Sequence, residues 1–486
     1  AVGYNSLLVN TTGHSNTAVG HTALDANTTG YYNVAIGYQS LTKNTTANYN
    51  TSIGVQSMEE NTTGASNTAV GNSALNGNAS GSENTAIGKD ALRVNTSNYN
   101  TAVGSRSLYT NSTADNNVAI GRESMMSNTT GSSNVAIGRR ALYYNTTASS
   151  NTAVGGDALL NNTTGTQNTA LGHNTLYYNT TGVNNTAVGR SALVANTTAS
   201  GSTAMGHSAM LSNTTGNGLG IGYLALRDNT TGTNNTAVGR YATMQSNTTG
   251  VNNSGFGHEA LTTNTIGSNN TAIGHSTLKT SNTASNNTAL GFEALKLNTS
   301  GERNVAIGQN TLVANTTAND NTAVGKSAMA ANTSGGQNAA VGAYTLDANT
   351  TGNDSVAIGK HALGTNTTGG LNTAVGKGSL FANITSSNNT SVGFESLAAS
   401  TSGYNTAVGA RALAAQTSGY DNTAVGYLAL EDNTTGINNV ALGMEAHKNA
   451  TTGSNNVAIG KGALADTTTA NANVAVGSQA LLANTT

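Results

Sequence analysis

Cysteine, proline and tryptophan are absent from the sequence, and only 8% of its residues are charged. Without cysteine there is no disulfide scaffold and no thiolate metal site. Without proline, every backbone N–H remains available to a hydrogen-bonded ladder. The charges nearly cancel, 19 Lys and Arg against 21 Asp and Glu for a net of −2. That balance removes the electrostatic basis for binding nucleic acid or an anionic membrane. No apolar run approaches the roughly 18 residues of a membrane span, so membrane insertion is not expected. Ala1 opens no signal-peptide pattern. Leu, Ile, Val and Phe together make up less than roughly a fifth of the chain, a level that accompanies disorder unless the few aliphatics are regularly placed.

They are regularly placed. A segment of the form Asn-Thr-Ala-Val-Gly recurs along the chain, with its glycine at Gly3, Gly20, Gly37, Gly54, Gly71 and Gly88 and onward to Gly443, Gly460 and Gly477. The usual step is 17 residues. A short period held throughout marks a solenoid and not a string of domains. No linker, composition shift or charge run interrupts it, so residues 1–486 read as a single continuous repeat array.

Numbered from the glycine, each slot has its own character. One before it stand Val19, Ile36 and Ile53; two before, Ala18, Ala35, Ala69, Ala86 and Ala102; four after, Leu24, Leu41 and Leu75. Seven after, Asn27, Asn44, Asn61, Asn128 and Asn145 open an Asn-Thr-Thr turn. Alternation in Thr-Ala-Val predicts a short strand, the Ala-Leu slot a second one, and the Asn-rich segment a turn. Gly and Asn interrupt every candidate helix before it completes about three turns. The expected fold is all-β: a parallel β-solenoid, or β-roll, of about 28 stacked 17-residue rungs with two short strands each. At about 4.8 Å per rung the array would be roughly 130 Å long.

If Val19, Ile36 and Ile53 point inward with Leu24, Leu41 and Leu75 as two aliphatic core rows, the Ala row points outward. Its restriction to small residues then reads as a smooth ridge on which a second copy packs, most simply in a parallel homotrimer. The alternative is that the Ala face points inward on a very narrow rod. The Asn row carries a glycosylation sequon in most rungs. Sugars about 5 Å apart would collide, so the spacing favours a ladder of stacked side-chain amides. Asn264 and Asn282 keep the Asn without the sequon, and Gln416 keeps the amide.

The segments Asn33–Gly37, Asn117–Gly121, Asn134–Gly138, Asn304–Gly308 and Asn456–Gly460 read Asn-Val-Ala-Ile-Gly. This resembles the head repeats of trimeric autotransporter adhesins, and similar repeats occur in phage and virus tail-fibre-like proteins. The resemblance covers essentially the whole chain and implies a left-handed parallel β-roll, three chains side by side, and contact with host surfaces. Two departures stand out: the repeat is longer than the usual head repeat, and no neck, coiled-coil stalk or anchor is present in the sequence.

The remaining chemistry is sparse. His258 and His275 occupy the slot after the glycine on adjacent rungs and could share a metal ion, but the sequence offers no third ligand. A solvated ridge is the plainer reading, and no metal or cofactor is expected. Tyr143, Tyr144, Tyr177 and Tyr178 lie two rungs apart on variable slots and could touch carbohydrate or protein. Carboxylates such as Glu59, Glu60 and Asp157 have no paired His or nucleophilic Ser, so no catalytic residue is expected. The functional expectation is an extracellular structural or adhesive fibre, at a cell surface or on a virion. Its partners would be itself and a host surface protein or carbohydrate. A purely structural filament or sheath is the alternative, and an ice-binding solenoid a weaker one. Both ends fall within a repeat and carry no cap, which reads as a segment of a longer fibre.

Overall fold

A computed structural model describes every residue except 242 and 484–486; the mid-repeat chain end expected at 484–486 lies outside the described residues. The described residues are all β and turn, without helix. They form two compact units, Ala1–Tyr241 and Ala242–Thr486. The first holds strands β1 (Thr17–Val19) to β14 (Asn235–Val238), the second β15 (Ser254–Phe256) to β28 (Val474–Val476).

Within each unit, consecutive strands pair in parallel with matching slots aligned. Thr17 pairs with Val34, Ala18 with Ala35 and Val19 with Ile36. In the second unit Thr271 pairs with Thr288, Ala272 with Ala289 and Ile273 with Leu290. The chain is therefore a parallel β-solenoid whose rung is the 17-residue repeat, as expected.

Among the described residues one strand per rung is formed, not two. The Ala-Leu segment alternates residues of positive φ, as at Thr22 (52°) and Leu24 (55°), so it bends where a strand would run straight. It is hydrogen-bonded between rungs nonetheless: Leu24 N donates to Ser40 O at 3.0 Å, and Thr22 N donates in the opposite direction to Tyr4 O at 2.9 Å. The bend keeps a full backbone ladder while curving the chain back toward the next strand. Leu outside the right-handed region costs energy, and the buried aliphatic row and the rung-to-rung bonds hold it there.

The repeat glycine closes the other corner. At Gly20 φ is +136°, and a Cβ would collide with the backbone carbonyl of Gly37 on the next rung. No L side chain fits that approach, which explains why this slot sets the register of the whole array.

Candidate functional site

The interior of the rung is narrower than the aliphatic pattern implied, and this inverts the strand. Ala18, Ala35, Ala69, Ala86 and Ala102 are completely buried, while Val19, Ile36 and Ile53 are 39%, 37% and 37% exposed. The Ala row is thus the inner wall and not a lateral packing ridge, and Val19, Ile36 and Ile53 are not core residues. Leu24, Leu41 and Leu75 are fully buried, as expected.

The physical reason is space. At Gly255, which replaces Ala, an added Cβ would lie 2.9 Å from Thr243 Cγ2 and 3.0 Å from Met244 Cε. There even one methyl group is too close; on the Ala rungs one methyl group fills the gap between the strand and the Leu/Met row, and a branched side chain would overpack it. Where Ser replaces Ala, the hydroxyl is satisfied inside. Ser52 accepts from Ser40 Oγ at 2.8 Å and donates to Ser57 O at 2.8 Å, and Ser391 accepts from Ser379 Oγ at 2.7 Å.

The turn Asn residues line a second wall. Asn27, Asn44, Asn61, Asn128 and Asn145 are all fully buried. Asn44 Nδ2 donates to Asn27 Oδ1 at 2.9 Å and to Ala47 O at 3.1 Å; Asn145 Nδ2 donates to Asn128 Oδ1 at 2.8 Å and to Ala148 O at 3.0 Å. The amides form the expected ladder. Both protons of each nitrogen are committed and solvent cannot reach it, so these sequons are not glycan acceptors in the folded chain. Asn264 and Gln416 sit in the same buried row. Asn282 does not: the slot on its rung belongs to Ser281.

A second Asn ladder lies four residues before the glycine, and its role was missed although Asn recurs there in most rungs. Asn33 Oδ1 accepts from Asn50 N at 3.0 Å, and Asn33 Nδ2 donates to Ala47 O at 2.8 Å. The two ladders meet at that carbonyl, which also accepts from Asn44.

What faces outward is therefore the strand face. The slot three before the glycine (Thr17, Val34, Thr51, Thr68) and the slot one before it form two parallel rows, and none of the 28 described strands contains a charged residue. The outer row stays aliphatic or aromatic throughout, and it accommodates Met205 and Phe256 where the inner row accepts only Ala, Ser and Gly.

The variable slots make a separate surface in the first unit. A groove of about 900 Å³ runs along Ser127, Tyr144, Asn161, Tyr178 and Ala195 on one side and Thr146, Thr163, Thr180 and Thr197 on the other. Tyr143 and Tyr144 pack edge-on at 4.6 Å, and Tyr177 and Tyr178 at 4.7 Å. Beside them the buried Asp157 accepts from Arg140 at 2.8 and 2.9 Å and from Arg139 at 3.3 Å. Burial pushes the Asp157 carboxyl up, but the two guanidinium groups outweigh it and hold it below its ordinary value. Asp157 thus braces the arginines under the tyrosines, a positioning arrangement and not an acid–base pair. Glu59 and Glu60 make surface polar contacts, with Asn76 and Lys43.

Among the described residues no helix is long and apolar enough to cross a membrane. No family model matches the chain, and no curated protein matches it.

Proposed function

We propose that this chain is a non-catalytic β-solenoid segment of an extracellular fibre, associating with copies of itself along the outward strand face. The observation that carries this reading is the uncharged apolar row kept on the outward strand face within each unit, β1 to β14 in the first and β15 to β28 in the second. Solvent alone does not maintain such a row, since exposed slots elsewhere in the rung vary freely. With many side chains of the row about two-fifths exposed, as at Val19, Ile36 and Ile87, the strands of one unit present an apolar area on the order of the 800 Å² per partner buried in a standard interface. A second copy is the partner whose rows repeat at the same spacing over many rungs. The alternation of Thr with Val in the companion row, as at Thr17 and Val34, interrupts a hydroxyl array, which favours a protein partner over an ice lattice. The variable slots, and the Tyr144–Tyr178 groove foremost, then stay free for weak multivalent contacts with a host surface protein or carbohydrate.

Sedimentation tests the reading. The native chain is expected to form a concentration-dependent multimer, and a variant combining Ile87→Lys, Ile120→Lys and Ile137→Lys to sediment as a monomer with unchanged circular dichroism. A native chain that stays monomeric at all concentrations overturns it.

A further inference from the structure

The third ligand that the sequence withheld from His258 and His275 is supplied by the fold. His258 follows Gly257 and His275 follows Gly274, the glycines that end β15 and β16 (Thr271–Ile273), so rung stacking sets the two imidazoles face to face. Their ring centroids are 4.9 Å apart and their planes differ by 1°. Glu259 takes a positive φ of 58°, one of the bends described above, and brings its carboxylate 3.9 Å from His258 Nδ1. One donor atom from each of His258, Glu259 and His275 lies within 4.8 Å of the other two, and among the described residues this is the group of His, Asp and Glu that could hold an ion.

We infer that His258, Glu259 and His275 form a surface site for a divalent transition metal, Zn²⁺ in first place, that ties adjacent rungs of the second unit together. Two imidazoles and one carboxylate suit Zn²⁺, Cu²⁺ or Ni²⁺ and not Mg²⁺ or Ca²⁺, which require a set of oxygen ligands. Zinc needs each donor at about 2.0–2.2 Å, and side-chain rotation on the two rungs closes the set without moving the ladder. The outer positions face solvent and leave room for water. Neighbouring side chains already hold two of these groups: Glu259 Oε2 accepts from Ser276 Oγ at 3.0 Å and from Lys279 Nζ at 2.8 Å, and Phe292 stacks on His275 at 5.3 Å. Ser276 orients the carboxylate, whereas Lys279 competes with the metal for it and lowers the affinity. The other histidines of this slot have different neighbours: His21, for instance, is stacked between Tyr4 and Tyr38. This inference is independent of the reading of the strand face.

Calorimetric titration of the chelator-treated full chain with zinc chloride tests it, alongside His275→Ala, Glu259→Gln and Lys279→Met. One zinc equivalent is expected for the native chain. Removing either donor should weaken binding at least as much as the roughly 10–100-fold typical of losing an outer partner of a metal ligand, and Lys279→Met should tighten it. Calcium and magnesium should give no binding. Absence of zinc binding, or an affinity unchanged in His275→Ala, overturns the site.

Discussion

Asn44 donates its side-chain amide to the side-chain oxygen of Asn27, one rung earlier, at 2.9 Å. The direction is the same wherever the bond forms among the described residues, as from Asn61 to Asn44 and from Asn145 to Asn128, so each Asn depends on its successor to occupy its oxygen. Breaks in the ladder should then leave an orphan on the preceding rung, and they do. Asn264 precedes Ser281, Asn383 precedes Ser400 and Asn433 precedes Ala450, and the Oδ1 atoms of Asn264, Asn383 and Asn433 are buried without a hydrogen-bond partner.

Restoring the ladder should stabilise the chain. Ser281→Asn, Ser400→Asn and Ala450→Asn are each expected to gain about 1 kcal/mol by satisfying one buried oxygen. Asn44→Ala, in an unbroken stretch, should cost about 1–3 kcal/mol because it strands groups on both sides. Denaturant midpoints read the signs. Destabilisation by all three Asn substitutions would refute the directional ladder.

The inverted strand makes an equally sharp prediction. Ala86→Val places two methyl groups against a wall with room for one and should cost about 1–3 kcal/mol by overpacking. Ile87→Val, on the neighbouring residue but facing outward, should change stability by less than about 0.5 kcal/mol. Comparable losses from the two would mean that both side chains share the core.

The register, the Leu row and the turn Asn ladder were all legible in the sequence, because each depends on a residue type recurring at one slot. Strand orientation was not. Period-2 alternation says that Ala86 and Ile87 point to opposite sides, but not which side is inside. The habit of placing the larger apolar residue inward fails where the lumen is one methyl deep. The discriminating signal was tolerance of volume: the inner slot admits nothing larger than Ala or Ser, while the outer one admits Met205 and Phe256. The missing second strand has a different cause. The positive φ at Leu24 and its equivalents is imposed by rung stacking, and Leu carries no local signature of that conformation. Glu259 escaped notice for the same reason, since the bend that turns it toward His258 is invisible in the residue itself.

The tyrosine groove is expected to be the most adhesive part of the variable surface. Tyr144 and Tyr178 stand two rungs apart with Asn161 between them, which places rings about 10 Å apart along the array. A double Tyr144→Ala, Tyr178→Ala variant should lose binding on a glycan array or in pull-down of host surface proteins while keeping its circular dichroism. Single losses of about tenfold are in proportion to one aromatic platform each. Unchanged binding in the double variant would assign any adhesion elsewhere.

His447 provides a test of the core by pH. It occupies the Leu slot, is fully buried, and neither ring nitrogen has a hydrogen-bond partner. Burial lowers its pKa from 6.5 to about 4. The folded state therefore refuses a proton that the unfolded chain accepts below about pH 6.5. Its contribution to stability is intact above that value and falls as the pH drops from 6.5 toward 4, where it levels off. A shift of that size corresponds to about 3 kcal/mol at its full extent. Because a repeat array can open locally, the effect should appear first in hydrogen exchange at the surrounding ladder, where His447 N donates to Ala463 O and Leu430 N to Ala446 O. His447→Leu restores the row that Leu430 and Leu464 form on either side. It should raise protection modestly at pH 8, where only the unpaired nitrogens are removed, and much more at pH 4.5, where the proton penalty disappears as well. Equal gains at the two pH values would show that His447 does not titrate with unfolding.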